Sequence, residues 1–182
     1  GQRFVFSGDI GRKEDLLMRA PKKPTTADVL FIESTYGNRI HPTEDLEAKL
    51  TEIINDTYQN GGTLIIPSFA VERTQTLMYI LWLLRKKNAI PHQPMVMDSP
   101  MGENVLNVFH HFTQWHKIPM HECEEMCNAF TIVKEYKETW DVIDNPEPKI
   151  IIAGILFVVM ILSGIWLSRV GKPYNTVIFT IH

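Results

Sequence analysis

The sequence predicts an α/β protein whose parallel sheet is covered by helices as a three-layer structure. Short apolar runs at Phe4–Phe6, Val29–Ile32, Thr63–Ile66, Met95–Met97 and Lys149–Ala153 have the composition and length of buried strands. Between most of them lie stretches with helical periodicity, and strands alternating with helices imply a parallel sheet. Ligands on such sheets collect beyond the carboxyl ends of the strands. Asp9, Glu33, Ser68, Asp98 and Ser99 all fall at such ends.

Phe4 to Phe6 leads into a turn at Ser7-Gly8-Asp9. Lys13 to Arg19 reads as a short helix stopped by Pro21 and Pro24. Val29 to Ile32 is the second strand and ends at Glu33. Spacing leaves two readings open: Asp9 and Glu33 face one cleft, or Asp9 only turns with Gly8 while Glu33 caps locally. A helix near residues 44–59 follows, with Thr43 as candidate N-cap and acids in its first turn. Leu46, Leu50, Ile53, Ile54 and Thr57 share one face of it, and Gly61-Gly62 ends it. Thr63 to Ile66 is the third strand, and Pro67-Ser68 turns the chain into a helix near 71–87 bearing Leu77, Leu81 and Leu84. Ser68 and the amides near Val71 could hold a phosphate, since helix N-termini favour anions; Ser68 could equally only cap the helix. The strand Met95–Met97 breaks at Asp98-Ser99-Pro100, and a helix from Gly102 to Gln114 follows.

Residues 115–148 give weaker signals. His121, Cys123 and Cys127 are ligand types that zinc prefers, but their spacing fits no common finger; the alternative is an acidic surface loop. Tyr136 to Ile143 reads as a helix. From Ile150 to Leu167 the chain carries no charge, a length at the lower limit for a membrane helix. A buried strand followed by a buried helix is the preferred reading of that run.

The net charge of −3 argues against a generally basic nucleic-acid surface, so any RNA contact must be local. Two cysteines make no disulfide framework, which points to a reducing, cytoplasmic compartment. The chain opens directly on a strand without an initiator Met and reads as a segment of a longer protein.

Four blocks, FSGDIGR, ADVLFIESTYGNRIH, GGTLIIPSFAVERTQ and VMDSPMG, carry a resemblance in that order. They resemble the beta-CASP branch of the metallo-β-lactamase superfamily, nucleic-acid-processing hydrolases of the ribonuclease and pre-mRNA cleavage endonuclease type. The blocks cover roughly residues 1 to 102, and PEPKIIIAG with NTVIF extends the likeness to the end. The resemblance implies the edge of a metallo-β-lactamase αββα core in residues 1–36, a beta-CASP domain in 37–148, and a very hydrophobic return segment with a degenerate motif B in 149–182. It makes Asp9 the metal-bridging aspartate of a two-zinc centre. It makes Glu33 the motif A carboxylate that orients the motif B histidine, a partner of the kind that fixes tautomer and basicity. Ser68, Asp98 and Ser99 would lie on the substrate side.

The chain departs from the family pattern. Ile165 and Trp166 stand where the motif B histidine is expected, the main His-x-His-x-Asp-His cluster would lie upstream of residue 1, and no His-Ala-Asp motif is found. His41 and His182 remain as replacement partners for Glu33. Without a partner, Glu33 is expected to have a pKa raised by desolvation. The implied function is a segment of a zinc-dependent RNA-processing hydrolase, inactive in isolation. The alternative is a non-catalytic relative that binds RNA or protein as a scaffold. The implied partners are RNA or another single-stranded nucleic acid and the remaining metallo-β-lactamase core; a second copy of the chain and, less favoured, a membrane are further candidates.

Overall fold

A computed structural model describes residues 1–11, 14–35, 37–38, 40, 45–68, 72–154 and 176–178. Two parallel sheets are present. In the smaller one β1 (Phe4–Phe6) pairs with β2 (Val29–Phe31), with Phe4 opposite Val29 and Phe6 opposite Phe31. The Phe6 and Phe31 rings stack at 4.7 Å between centroids. Phe6 is nonetheless 70% exposed, and Leu30, Phe31 and Ile32 are exposed beside it.

The larger sheet contains β3 (Thr63–Pro67), β4 (Met95–Asp98), β5 (Thr131–Val133), β6 (Lys149–Ala153) and β7 (Thr176–Ile178). Their order is β5-β4-β6-β3-β7, with every neighbouring pair parallel. Five helices accompany them among the described residues: α1 (Leu46–Gln59), α2 (Arg73–Lys86), α3 (Pro100–His111), α4 (Met120–Asn128) and α5 (Tyr136–Asp144).

Strand periodicity sorts the core into two faces. Leu64, Ile66, Met95, Met97, Ile150 and Ile152 join side chains of α1 to α4 on one face. Ile65, Val96, Val133, Ile151 and Ala153 meet Val142 and Ile143 of α5 on the other. The sheet is therefore the middle of three layers, as the alternation of elements predicted. Helix α2 buries Leu77, Met78, Ile80, Leu81, Trp82 and Leu84, more than one stripe, because α1 and α4 also pack against it. Removing each such side chain from water contributes roughly 1.5–3 kcal/mol.

The structure corrects several expectations. Residues 14–19 are not helical. Asp15 Oδ1 accepts from the amides of Leu17 (2.7 Å) and Met18 (2.6 Å), forming a local turn that competes with a helix. Met18 then forms an antiparallel bridge with His116, and Leu17 is fully buried. The N-cap of α1 is Asp45, which accepts from the amides of Glu47 and Ala48. Thr43, the expected cap, lies outside the described residues. Part of the supposed surface loop is ordered as α4 and β5, whose Cys123, Met126 and Val133 reach the core.

Ile150 to Ala153 is a buried strand between β4 and β3. No helix among the described residues is long and apolar enough to cross a membrane. Val71, Ile165, Trp166, His41 and His182 lie outside the described residues.

Candidate functional site at the carboxyl ends of the strands

The first cluster is built where β1 and β2 end. Ser7 donates its amide to Phe31 O, and its hydroxyl accepts from the Glu33 amide at 3.0 Å. Glu33 then spans both turns. Its Oε1 accepts from Ile10 N at 3.1 Å and its Oε2 from Thr35 N at 2.9 Å. Asp9 precedes Ile10 on the same turn, exposed to solvent, after Gly8 at φ +57°. Asp9 and Glu33 thus sit on adjoining turns held together by the Glu33 carboxylate.

Those bonds determine the Glu33 charge state. The Thr35 amide, then the Ile10 amide and the Thr35 hydroxyl, hold its carboxyl below the usual range. The expected rise is overturned, because desolvation is the smallest of the influences on Glu33 and its hydrogen bonds all favour the anion.

The second cluster lies where β3, β4 and β6 end. Ser68 N donates to Ala153 O at 3.0 Å and Gly154 N to Asp98 O at 2.9 Å, tying the three strand ends together. Ser68 does not cap α2. It is buried, and its hydroxyl bonds the Thr74 hydroxyl at 2.9 Å. Ser99 does cap a helix: its Oγ accepts from Gly102 N at the start of α3, at 3.2 Å.

Asp98 is the unusual member. Paired with Val133 and Ala153, its side chain belongs to the α5 face of the sheet. It is 6% exposed, and among the described residues its Oδ2 has no hydrogen-bond partner. Burial raises its pKa, against a hydrogen bond with Thr139 that lowers it, and the charge of Glu138 adds to the rise.

A third pairing escapes the sequence. Asp15 and Glu72 share a hydrogen bond although they are remote in the chain. Burial, followed by the bond and charge of Asp15, raises Glu72. Burial acts upward on Asp15 too, but the amides of Met18 and Leu17, the Glu72 carboxyl and the Lys117 charge together hold it low. Glu72 is therefore the more basic partner. It occupies the N-cap of α2 at φ 76°, a few residues past Ser68, so this pair ties segment 14–19 to the edge of the larger sheet.

The described residues do not by themselves fit a zinc centre. No group of three or more His, Cys, Asp or Glu side chains among them is placed to hold a metal ion. Helix α4 puts Cys123 in the core and leaves His121 exposed. Cys123 bonds Cys127 one turn on, which pushes the Cys123 thiol up, burial adding to it, and lowers Cys127.

A parallel α/β layer with polar groups gathered at its strand ends is the class of domain that these features define. The model of the Beta-Casp domain matches residues 74–181, more than half of the chain. The chain belongs to the Beta-Casp domain family. It is 37% identical over 110 residues to Ribonuclease TTHA0252 of Thermus thermophilus, covering 60% of this chain and 25% of that protein. It is also 37% identical over 112 residues to Cleavage and polyadenylation specificity factor 73 of Drosophila melanogaster, 60% of this chain and 16% of that protein. Endoribonuclease YSH1 of Candida glabrata is 37% identical over 115 residues, 60% of this chain and 15% of its own length. The chain spans a quarter or less of the length of these curated relatives.

Proposed function

We propose that the chain is a segment of a zinc-dependent, RNA-processing phosphodiester hydrolase. Residues 1–36 would be the edge of a metallo-β-lactamase core, 37–148 the Beta-Casp domain, and 149–182 a return segment with an altered motif B. The observation that carries this reading is the Glu33 clamp. An ionised carboxylate bridges the two strand-end turns of the blocks SGD and EST, and the neighbouring turn presents Asp9 to solvent. An anionic Glu33 is suited to orient a protonated or cationic partner, and Asp9 would contribute one carboxylate to a metal centre whose other ligands are not among the described residues. Ser68, Asp98 and Ser99 would form the substrate side. Burial shifts Asp98 toward its neutral form, in which the carboxyl can donate to a phosphate oxygen. RNA as substrate is supported by the names of the relatives, a ribonuclease and an endoribonuclease among them. The free thiols Cys123 and Cys127 fit a cytoplasmic setting.

The test is to titrate the chain with zinc and to assay cleavage of a short RNA, beside the full-length protein. The full-length protein is expected to bind zinc and cleave, with both properties lost in Asp9→Ala and cleavage alone lost in Glu33→Gln. A full-length protein that neither binds zinc nor cleaves would favour the second reading, a non-catalytic scaffold. Ile165 and Trp166, standing where the motif B histidine is expected, favour that alternative.

A further inference from the structure

We propose that residues 16–27 and 104–121 form a strip that binds single-stranded RNA, with Trp115 and Phe112 as stacking faces and Arg19 and Lys117 as phosphate contacts. This rests on the RNA-processing reading and gives the strand a path. The chain is acidic overall, yet neither of these two stretches contains a single Asp or Glu. The fold brings them side by side. Met18 bridges His116, Arg19 N donates to Trp115 O at 3.2 Å, and Lys117 N donates to Leu17 O at 2.7 Å.

Extended backbone alternates its side chains. Here Leu17 and His116 are buried, His116 stacking on Phe109 at 4.2 Å, while Trp115, at the end of a short 3-10 turn, and Lys117 on either side of His116 are exposed. Trp115 is 63% exposed and Phe112 49%. Among the described residues the Arg19 side chain makes one bond, Nε to His116 O, which leaves its terminal nitrogens to reach a phosphate. Lys22 and Lys23 continue the positive charge on the exposed chain after it. The Lys117 ammonium donates to Asp15 O at 2.6 Å and lies near the Asp15 charge, leaving two of its three protons for a phosphate. Other flanking acids have partners outside the strip or on its rim: Asp28 accepts from Arg3 N, Glu122 from the Tyr79 hydroxyl, and Glu124 lies 3.7 Å from His110. Through Asp15 and Glu72 the strip abuts the start of α2, beside the strand ends where the substrate groups lie.

Exposed aromatics interleaved with cations are the elements of single-strand binding: bases stack on the rings and the groove follows the backbone charge. Bases stacked on Trp115 would lead the strand toward the carboxyl edge of the larger sheet. A protein partner would have less use for a run of cations without acids, so the charge favours a polyanion.

The test measures anisotropy of a short fluorescein-labelled oligouridylate with this chain over a salt series, and competition by inorganic polyphosphate. Trp115→Ala is expected to weaken oligouridylate binding about tenfold, the size of one base–aromatic stack, with polyphosphate binding unchanged. Arg19→Ala with Lys117→Ala is expected to reduce the salt slope by about 1.4, two single-strand phosphate contacts. Trp115 is exposed, so its variant should fold; circular dichroism checks this. Unchanged oligouridylate affinity in Trp115→Ala, or no binding by the parent chain, overturns the strip. So does a parent that elutes as a dimer with Trp115→Ala eluting as a monomer, because the face then joins two copies. If the strip variants bind normally while the full-length protein cleaves RNA, only the strip fails. If they lose binding while the full-length protein cleaves nothing, the strip stands and the hydrolase reading fails.

Discussion

Two carboxylates of this chain sit in opposite environments, and each makes a measurable claim. Glu33 accepts from two backbone amides in the open. Its folded pKa lies below the unfolded one, so its contribution to stability is present above the unfolded pKa and is lost as pH falls through the folded value. Urea unfolding between pH 3 and 7 should show this loss, and Glu33→Gln should flatten it. Asp98 runs the other way. Its folded pKa is raised, so stability is full below the unfolded pKa and declines as pH rises through the folded one. Asp98→Asn should therefore stabilise the chain at neutral pH by about 1 kcal/mol, the scale of an unpaired buried polar group. If Asp98 contacts substrate, the same variant should lower RNA affinity or cleavage, a trade of function for stability. Neither charge state was legible from the sequence. The amides of Ile10 and Thr35 that bind Glu33, and the burial of Asp98 against α5, depend on contacts that spacing does not reveal.

At the scale of elements, segments with a bounded apolar run or sustained periodicity were legible whatever their length, and weakly patterned ones were not. The strands β1 to β4 and β6 stand out because each is a bounded apolar run, and α1 and α2 because their periodicity is sustained. β5 is three residues long, and α4 carries three acids in nine residues while its buried positions are only Cys123 and Met126, so neither has a strong pattern. The helix expected over Lys13–Arg19 failed because Asp15 takes the amides of Leu17 and Met18 and because pairing with His116 outweighs local propensity. Helix α1 offers a test of the cap that replaced the expected one. Asp45→Ala should cost about 1 kcal/mol in urea unfolding, since it removes the acceptor for the Glu47 and Ala48 amides. Serine at the same position should recover most of that loss.

For the whole molecule, β6 is the strand that cannot be removed. It lies between β4 and β3, and all five of its residues are buried, Lys149 included. Burial pulls the Lys149 pKa down, and its ammonium donates to Asn145 O. A chain ending at Pro148 would leave β3 and β4 without their shared neighbour and would strip both core faces. It should show no cooperative thermal transition by circular dichroism; a sharp transition would mean that the other strands close without β6.

The smaller sheet has a different consequence. Phe6, Leu30, Phe31 and Ile32 lie open to water on a pair of strands too small to bury them. Greasy, flat strand edges template growth by further chains. Concentrated preparations of this polypeptide should therefore scatter light increasingly with time, and Phe6→Lys should slow the rise. The practical limit on handling it in the laboratory would then be colloidal and set by these four residues, while the five-stranded layer stays intact.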